Sequence, residues 1–397
     1  MNRHDMNRID RPNPPTTDGG RRLSRRLLLA ASLILAVTLP AGPAAATDST
    51  ASVRGDRHLQ AMLDGLVAAG APGAILLDRH GGHTTRLASG VADQADARPM
   101  RVTDRFRAGS QMKSFTAAIV LQLVQEGRLG LDDAVDGLLP GVIPHGYGAG
   151  VTVRHLLQHS SGLFNFDNDP RLLAPAMAGD LGYAWTPQQL LDMAFEHEPL
   201  FPPGTQFAYS DTGYILAAYI VEAVTGHTFD QELRTRIIRP LGLRDTSLPT
   251  VANIVGRHAH GYVVFGDPPA DLDITYLYPA SWAGGGLTST VEDSATFFRA
   301  LLGGRLLSPA LMREMKRTIE VTDSDLPSGS GLGIYRWSPC GTAWGKSGNA
   351  PGYLVYTWIS PDTRHETVLM INDDPRSMGG PGMTAYYDVL ARAFCRR

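Results

Sequence analysis

The chain is poor in three things, and each scarcity narrows its chemistry. Among 397 residues there are only two cysteines, Cys340 and Cys395, too few for a zinc site built on thiolates. Only three of 36 basic residues are lysines, Lys113, Lys316 and Lys346, so arginine does nearly all the ordinary positive-charge work. Arginine keeps its proton under any physiological condition, whereas lysine can serve as a base, so the three lysine positions carry more information than the arginines. The longest strongly apolar stretch, Leu27–Leu39, has 13 residues, short of the roughly 20 that span a bilayer. No basic stripe, low-complexity tract or internal repeat is present. Residues 1–46 hold seven arginines against three aspartates, so the rest of the chain carries −7 of a total net charge of −3. A mildly acidic body of this kind argues against a nucleic-acid binder. What remains is 43% apolar and 19% charged, with 43 glycines and 27 prolines. That suits one large two-lobed globular domain with many turns.

The first 46 residues read as an export signal. A polar lead is followed by Arg21-Arg22-Leu23-Ser24-Arg25-Arg26, the apolar run, and Ala44-Ala45-Ala46 before Thr47. Charged, apolar and small-residue regions in that order predict a cleaved secretory signal, cut after Ala46, which leaves residues 47–397 as the working domain. Ser24-Arg25-Arg26-Leu27-Leu28-Leu29 resembles a twin-arginine signal; a Sec signal with an arginine-rich start is the alternative. No cysteine stands directly after the cut, where Thr47 is found, so no lipid anchor is expected. In an oxidising compartment Cys340 and Cys395 are expected to form one disulfide, which would stabilise the fold by roughly 4 kcal/mol. Two free buried thiols are the alternative.

Periodicity predicts a helix over 57–66, then strands 73–78 and 84–90 joined at Gly81-Gly82. A long apolar helix follows Ser110, and residues 151–242 read as helices with Pro/Gly-rich connections. Residues 261–265 read as a strand and 290–302 as a helix. Strands 353–360 and 366–372 and a helix over 384–394 close the chain. Strands at both ends around a helical middle predict an α+β unit: a sheet built from both chain ends, flanked by helices, holding an inserted helical lobe at roughly 140–280.

Three stretches carry the chemistry. Ser110-Gln111-Met112-Lys113 places a hydroxyl and an amine three residues apart at the start of a helix, hence on one side of it. Serine is a weak nucleophile until a neighbour takes its proton. Tyr209-Ser210-Asp211 follows Pro202-Pro203-Gly204 and precedes a helix. Its phenol could relay a proton if nearby cations lower its pKa. Gly345-Lys346-Ser347-Gly348-Asn349 precedes the late strand pair, as a turn in which Lys346 and Ser347 could hold a carboxylate and Gly348 lets a substrate approach the strand edge.

Ser110-x-x-Lys113, Tyr209-x-Asp211 and Lys346-Ser347-Gly348 stand in the order of the three motifs of penicillin-recognising serine enzymes, and from about Gly73 onward the chain resembles that family of DD-peptidases, class C β-lactamases and related esterases. His155-Leu-Leu-Gln-His159-Ser-Ser-Gly-Leu163 and Gly285-Gly-Leu-Thr-Ser-Thr290 belong to the same resemblance, which is nearest to secreted D-alanyl-D-alanine carboxypeptidases. It implies a β-lactamase/DD-peptidase-like fold with an antiparallel sheet, and acyl transfer without cofactor or metal. Ser110 would attack a D-Ala-D-Ala-type carbonyl, and water or a second amine would resolve the acyl-enzyme. Lys113 and Tyr209 would move the proton, and Lys346 and Ser347 would hold the terminal carboxylate. The N–H groups of Ser110 and Asn349 would form the oxyanion hole. The expected protein is a monomer acting on peptides or small molecules, inhibited by β-lactams, with neither nucleic acid nor a stable membrane anchor. An esterase, a β-lactamase, or a sensor that acylates without turning over are the alternatives.

One residue departs from the pattern. The second motif commonly ends in asparagine, and Asp211 replaces that donor with an acceptor. The expectation is that its charge keeps Lys113 protonated and moves the base role towards Tyr209. Other readings fail on spacing. His155 and His159 have a zinc-compatible separation but no glutamate of an H-E-x-x-H motif between them. Gly345-Lys346-Ser347 lacks the P-loop glycine, because position 340 is Cys340. No G-x-S-x-G elbow surrounds Ser110.

Overall fold

Both faces of Gly73–His80 are buried, so this strand, β1, needs neighbours on two sides and cover above and below. The period of two sends Ala74 and Leu76 to one face and Ile75 and Leu77 to the other. β1 pairs with β2 (His83–Asp93) and, from the far end of the chain, with β12 (His365–Ile371), antiparallel in both cases. The full sheet has eight strands in the order β3-β2-β1-β12-β11-β10-β9-β8, with β3 at Arg98–Pro99 and β11 at Tyr353–Ile359. This is the sheet from both chain ends that the periodicity predicted. The computed structural model describes residues 46–144, 147, 149–266, 269–278, 280–321 and 328–396. The expected signal before Ala46 lies outside them. Among the described residues no helix is long and apolar enough to cross a membrane.

Two helix layers cover the sheet. On one face Leu59, Leu63 and Leu66 of α1 (Ala46–Ala68) and Tyr386, Leu390 and Phe394 of α13 (Pro375–Phe394) pack on Leu76, Tyr356 and Leu369. On the other lies α2 (Met112–Gln125), apolar on every side because it is buried on nearly every side. Its Phe115 stacks on Phe297 of α11 (Val291–Leu302) with ring centroids 3.5 Å apart. β4 (Phe106–Gly109) leads into α2 and pairs with β7 (Leu287–Ser289), and α10 (Trp282–Gly285) stands just before β7.

Between them the chain makes a mainly helical layer. It runs through α3 (Val135–Leu138), α4 (Val153–Gln158), α5 (Ala174–Met177), α6 (Pro187–Phe195), α7 (Thr212–Thr225), α8 (Phe229–Leu233) and α9 (Arg239–Leu241) to a ribbon of β5 (Tyr262–Phe265) and β6 (Ala270–Asp273). Thr152, Thr186 and Thr228 open α4, α6 and α8 with reciprocal capping boxes, which satisfy end N–H groups that short helices would otherwise leave bare.

The main departure from expectation concerns Gly345–Asn349. It is not a turn before a strand pair but the middle of a strand, β10 (Ala343–Ala350), which joins β11 to β9 (Tyr335–Trp337) and β8 (Gly329–Ser330). Two glycines in a strand lower its propensity and hid it. Both are there for crowding. A Cβ at Gly345 would overlap the Thr357 carbonyl oxygen, and one at Gly348 would overlap that of Ala108 in β4. α13 also starts at Pro375 rather than Thr384, with a break at Gly379 (φ 61°). Cys340, in the turn between β9 and β10, is disulfide-bonded to Cys395 just after α13, with Cα atoms 5.8 Å apart.

Gly348→Ala is therefore expected to push β4 from β10 and lower the unfolding free energy by about 1–3 kcal/mol, together with a loss of Ser110 reactivity. Denaturant melts and turnover of a simple ester measure the two; an unchanged melt contradicts the crowding.

Candidate active site

β4 and β10 cross so closely that a Cβ at Gly109 (φ 52°) would overlap the Asn349 carbonyl, and this crossing delivers Ser110 beside the third motif. Ser110 does not lie in the first helical turn. It precedes the Gln111 cap of α2, and its carbonyl accepts the Lys113 N–H at 3.1 Å. The two side chains still meet, with Lys113 Nζ 3.2 Å from Ser110 Oγ. Gln111 turns the other way, donating to the Lys346 carbonyl (3.3 Å) and Thr357 Oγ1 (2.9 Å), which ties the start of α2 to β10 and β11.

Lys113 is wholly buried and has three acceptors: Ser110 Oγ, Asp211 Oδ1 at 2.6 Å and the Gly284 carbonyl at 2.7 Å. An ammonium has three donors, so the set is filled. Asp211 caps α7, and its N–H donates to Asn165 Oδ1 at 3.0 Å. A Cβ at Gly284 would stand 2.6 Å from Asp211 Oδ1, so only glycine leaves room for the pair.

Tyr209 Oη lies 2.5 Å from Ser110 Oγ. Burial, helped by the Asp211 charge, holds this phenol well above its ordinary range. The expected lowering by cations is thus overturned: the desolvation and carboxylate effects outweigh them, and Tyr209 rests as a protonated phenol. Its ring packs on His159, with centroids 4.4 Å apart. His159 adopts φ 62°, accepts the Ser210 N–H on Nδ1 at 3.2 Å, and is kept neutral by burial and by the two lysines. His155 accepts the Thr152 N–H on Nδ1 instead, so the two histidines serve separate backbone contacts.

Lys346 is also buried, with Nζ 3.5 Å from the centre of the Tyr335 ring and 5.2 Å from that of Tyr209. Among the described residues it meets no carboxylate. Burial, then the Lys113 charge, draws its pKa well below the ordinary value. Ser110, Tyr209, Asp211, Lys346, Ser347 and Asn349 all line one cavity of about 430 Å³. Gly348 is absent from the lining: its missing side chain makes room for β4, not for a substrate. Asn165 and Tyr335 escaped the sequence reading because each is a single residue from a distant segment, and the role of Gln111 because its partners Lys346 and Thr357 are distant. The Gly284-Gly285-Gly286 run was the one visible signal for Gly284.

A serine bonded to a lysine and a tyrosine, with a second lysine in the same cavity, is the arrangement of a penicillin-recognising serine hydrolase. The model of the family described as Beta-lactamase matches residues 57–391, and the chain belongs to that family. It is 31% identical to penicillin-binding protein 4 of Amycolatopsis lactamdurans, over 76% of this chain and 81% of that one. Among solved structures it resembles a D-stereospecific amidohydrolase from Streptomyces sp. (TM-score 0.77, 33% identity, covering 86% of this chain and 98% of that one). It also resembles the D-amino acid amidase of Ochrobactrum anthropi SV3 complexed with D-phenylalanine (TM-score 0.77, 28% identity, covering 86% and 98%).

The Asp211 carboxylate disfavours the phenolate of Tyr209 and favours the ammonium of Lys346. Removing that charge lets both groups lose their protons at lower pH. Asp211→Asn is thus expected to move the alkaline limb of the kcat profile for a carboxylate-free ester to lower pH; a limb that stays put contradicts this role.

Proposed function

We propose that the protein is an exported serine-type D-alanyl-D-alanine carboxypeptidase that works through a Ser110 acyl-enzyme. The observation that carries this reading is Ser110 Oγ within hydrogen-bond reach of Tyr209 and Lys113, in one cavity with a buried Lys346 that meets no carboxylate among the described residues. The substrate's terminal carboxylate supplies that partner, and its charge favours the ammonium form of Lys346. Ser347 adds a hydroxyl from the same strand. Ser110 Oγ then attacks the scissile carbonyl, whose oxygen takes hydrogen bonds from the Ser110 and Asn349 N–H groups.

Because Tyr209 rests as a phenol, it acts as a relay rather than a standing base. It accepts the Ser110 proton as it hands its own to the departing amine nitrogen, so the new O–C bond and the broken C–N bond leave no net charge on Tyr209. Lys113, held as an ammonium, steadies the negative charge that builds on Ser110 Oγ and Tyr209 Oη in transit. Water, or a second amine in transpeptidation, reverses the sequence and frees the acyl group. The likeness to the Streptomyces amidohydrolase favours a second reading, hydrolysis of simple D-amino acid amides, which uses the same steps without the carboxylate.

Intact-mass spectrometry after addition of penicillin tests the acyl-enzyme. The expected result is a lasting adduct of the drug's mass, absent in Ser110→Ala. A fleeting adduct with the drug consumed would mean β-lactamase turnover. No adduct, with the drug intact, contradicts the penicillin-sensitive peptidase. A sensor would form the adduct yet release no D-alanine from peptides.

A further inference from the structure

The cavity is much larger than the chemistry at Ser110 needs. At about 430 Å³ it exceeds an alanine methyl many times over, and the three motifs line only part of it. A further part of the lining comes from the helical layer: Leu172, Leu173, Tyr183, Trp185 and Tyr278. This wall is built rather than incidental. The Trp185 indole N–H donates to the Leu172 carbonyl at 3.1 Å, closing residues 172–185 into a loop. Tyr183 sets its ring edge-on to Trp185, with centroids 5.0 Å apart. The Tyr278 N–H donates to the Leu181 carbonyl at 2.8 Å, which fastens the second segment to the first. Despite that order, Leu173 is 46% and Tyr183 38% exposed. Large apolar side chains held in place yet left open beside a nucleophile mark a surface that a ligand covers.

The two halves of a substrate are distinguished by charge. Lys346 and Ser347 on β10 hold the leaving half by its carboxylate, which leaves the apolar lining to the acyl half. Asp167 and Asp180 border it, which disfavours a second carboxylate there. We propose that the wall of Leu172, Leu173, Tyr183, Trp185 and Tyr278 selects the acyl-donor residue, and that the preferred donor is a D-amino acid with a large apolar or aromatic side chain rather than D-alanine. This rests on the acyl-transfer reading of Ser110 with a terminal D-alanine as the leaving residue, and replaces the D-alanine donor of that reading with a bulkier one.

The test is release of D-alanine from a matched pair, D-phenylalanyl-D-alanine and D-alanyl-D-alanine, with the intact protein. The expected kcat/KM ratio favours the phenylalanyl peptide by at least about tenfold, the scale on which apolar pockets discriminate. Leu173→Ser and Tyr183→Ser, at exposed positions that the fold does not need, each lower that ratio. A wild-type ratio of one or below overturns the proposal, as does a preference that neither variant moves. A small acetate ester separates the two levels. If it is turned over through Ser110 while the dipeptide ratio fails, only the wall assignment falls. If it too is inert and Ser110 is never acylated, the acyl-transfer reading falls and takes the wall assignment with it.

Discussion

The buried pair of Lys113 and Asp211, 2.6 Å apart, is the interaction on which the rest of the site depends. Two charges removed from water cost several kcal/mol each, and their mutual attraction offsets this only when the remaining donors and acceptors are also filled. On the lysine they are filled. The Gly284 carbonyl and Ser110 Oγ complete it, and the backbone N–H of Asp211 is fixed by Asn165. The pair also couples layers: Lys113 rides on α2, Asp211 opens α7, and Gly284 lies in α10 just before β7. Removing one partner would leave a lone buried charge, a loss of about 3–5 kcal/mol. That constraint explains why a glycine must stand at 284.

The same pair divides the protons. A lysine already bonded to three acceptors is poorly placed to accept a fourth hydrogen, so the mobile proton belongs to the short contact between Ser110 and Tyr209. Lys346 is the complement of Lys113. One lysine has its carboxylate built in; the other has an aromatic ring at 3.5 Å and an open cavity. A carboxylate arriving with a ligand would complete the second lysine and favour its ammonium form.

Much of this was legible in the sequence, for identifiable reasons. Short apolar runs gave away β1, β11 and β12, which are buried on both faces, and the Gly81-Gly82 turn signal joined β1 to β2. The motif residues were visible because lysine is so scarce that Lys113 and Lys346 stood out. What stayed hidden was hidden by glycine and by distance. β10 did not look like a strand because Gly345 and Gly348 are placed for the close passage of Thr357 and Ala108, and glycine carries no strand signal. Asn165, Gln111 and Tyr335 act across long sequence separations, where no local pattern points to them. The direction of the Tyr209 shift could not be read either, since it turns on how deeply the ring is set and on a carboxylate two residues away whose orientation the fold decides.

The presence of only three lysines makes the central claim directly measurable. With ¹⁵N-lysine labelling, and Lys316→Arg and Lys346→Arg for assignment, the Nζ resonances of Lys113 and Lys346 can be followed from neutral pH upwards. The ion pair of Lys113 with Asp211 predicts an ammonium-type signal at neutral pH, unchanged by ligands. Lys346 should lose its ammonium-type signal at lower pH than an ordinary lysine, and keep it to higher pH when a carboxylate ligand binds. An amine-type Lys113 beside a permanently charged Lys346 would contradict the account, because the base would then be Lys113 and Asp211 would not be holding its proton.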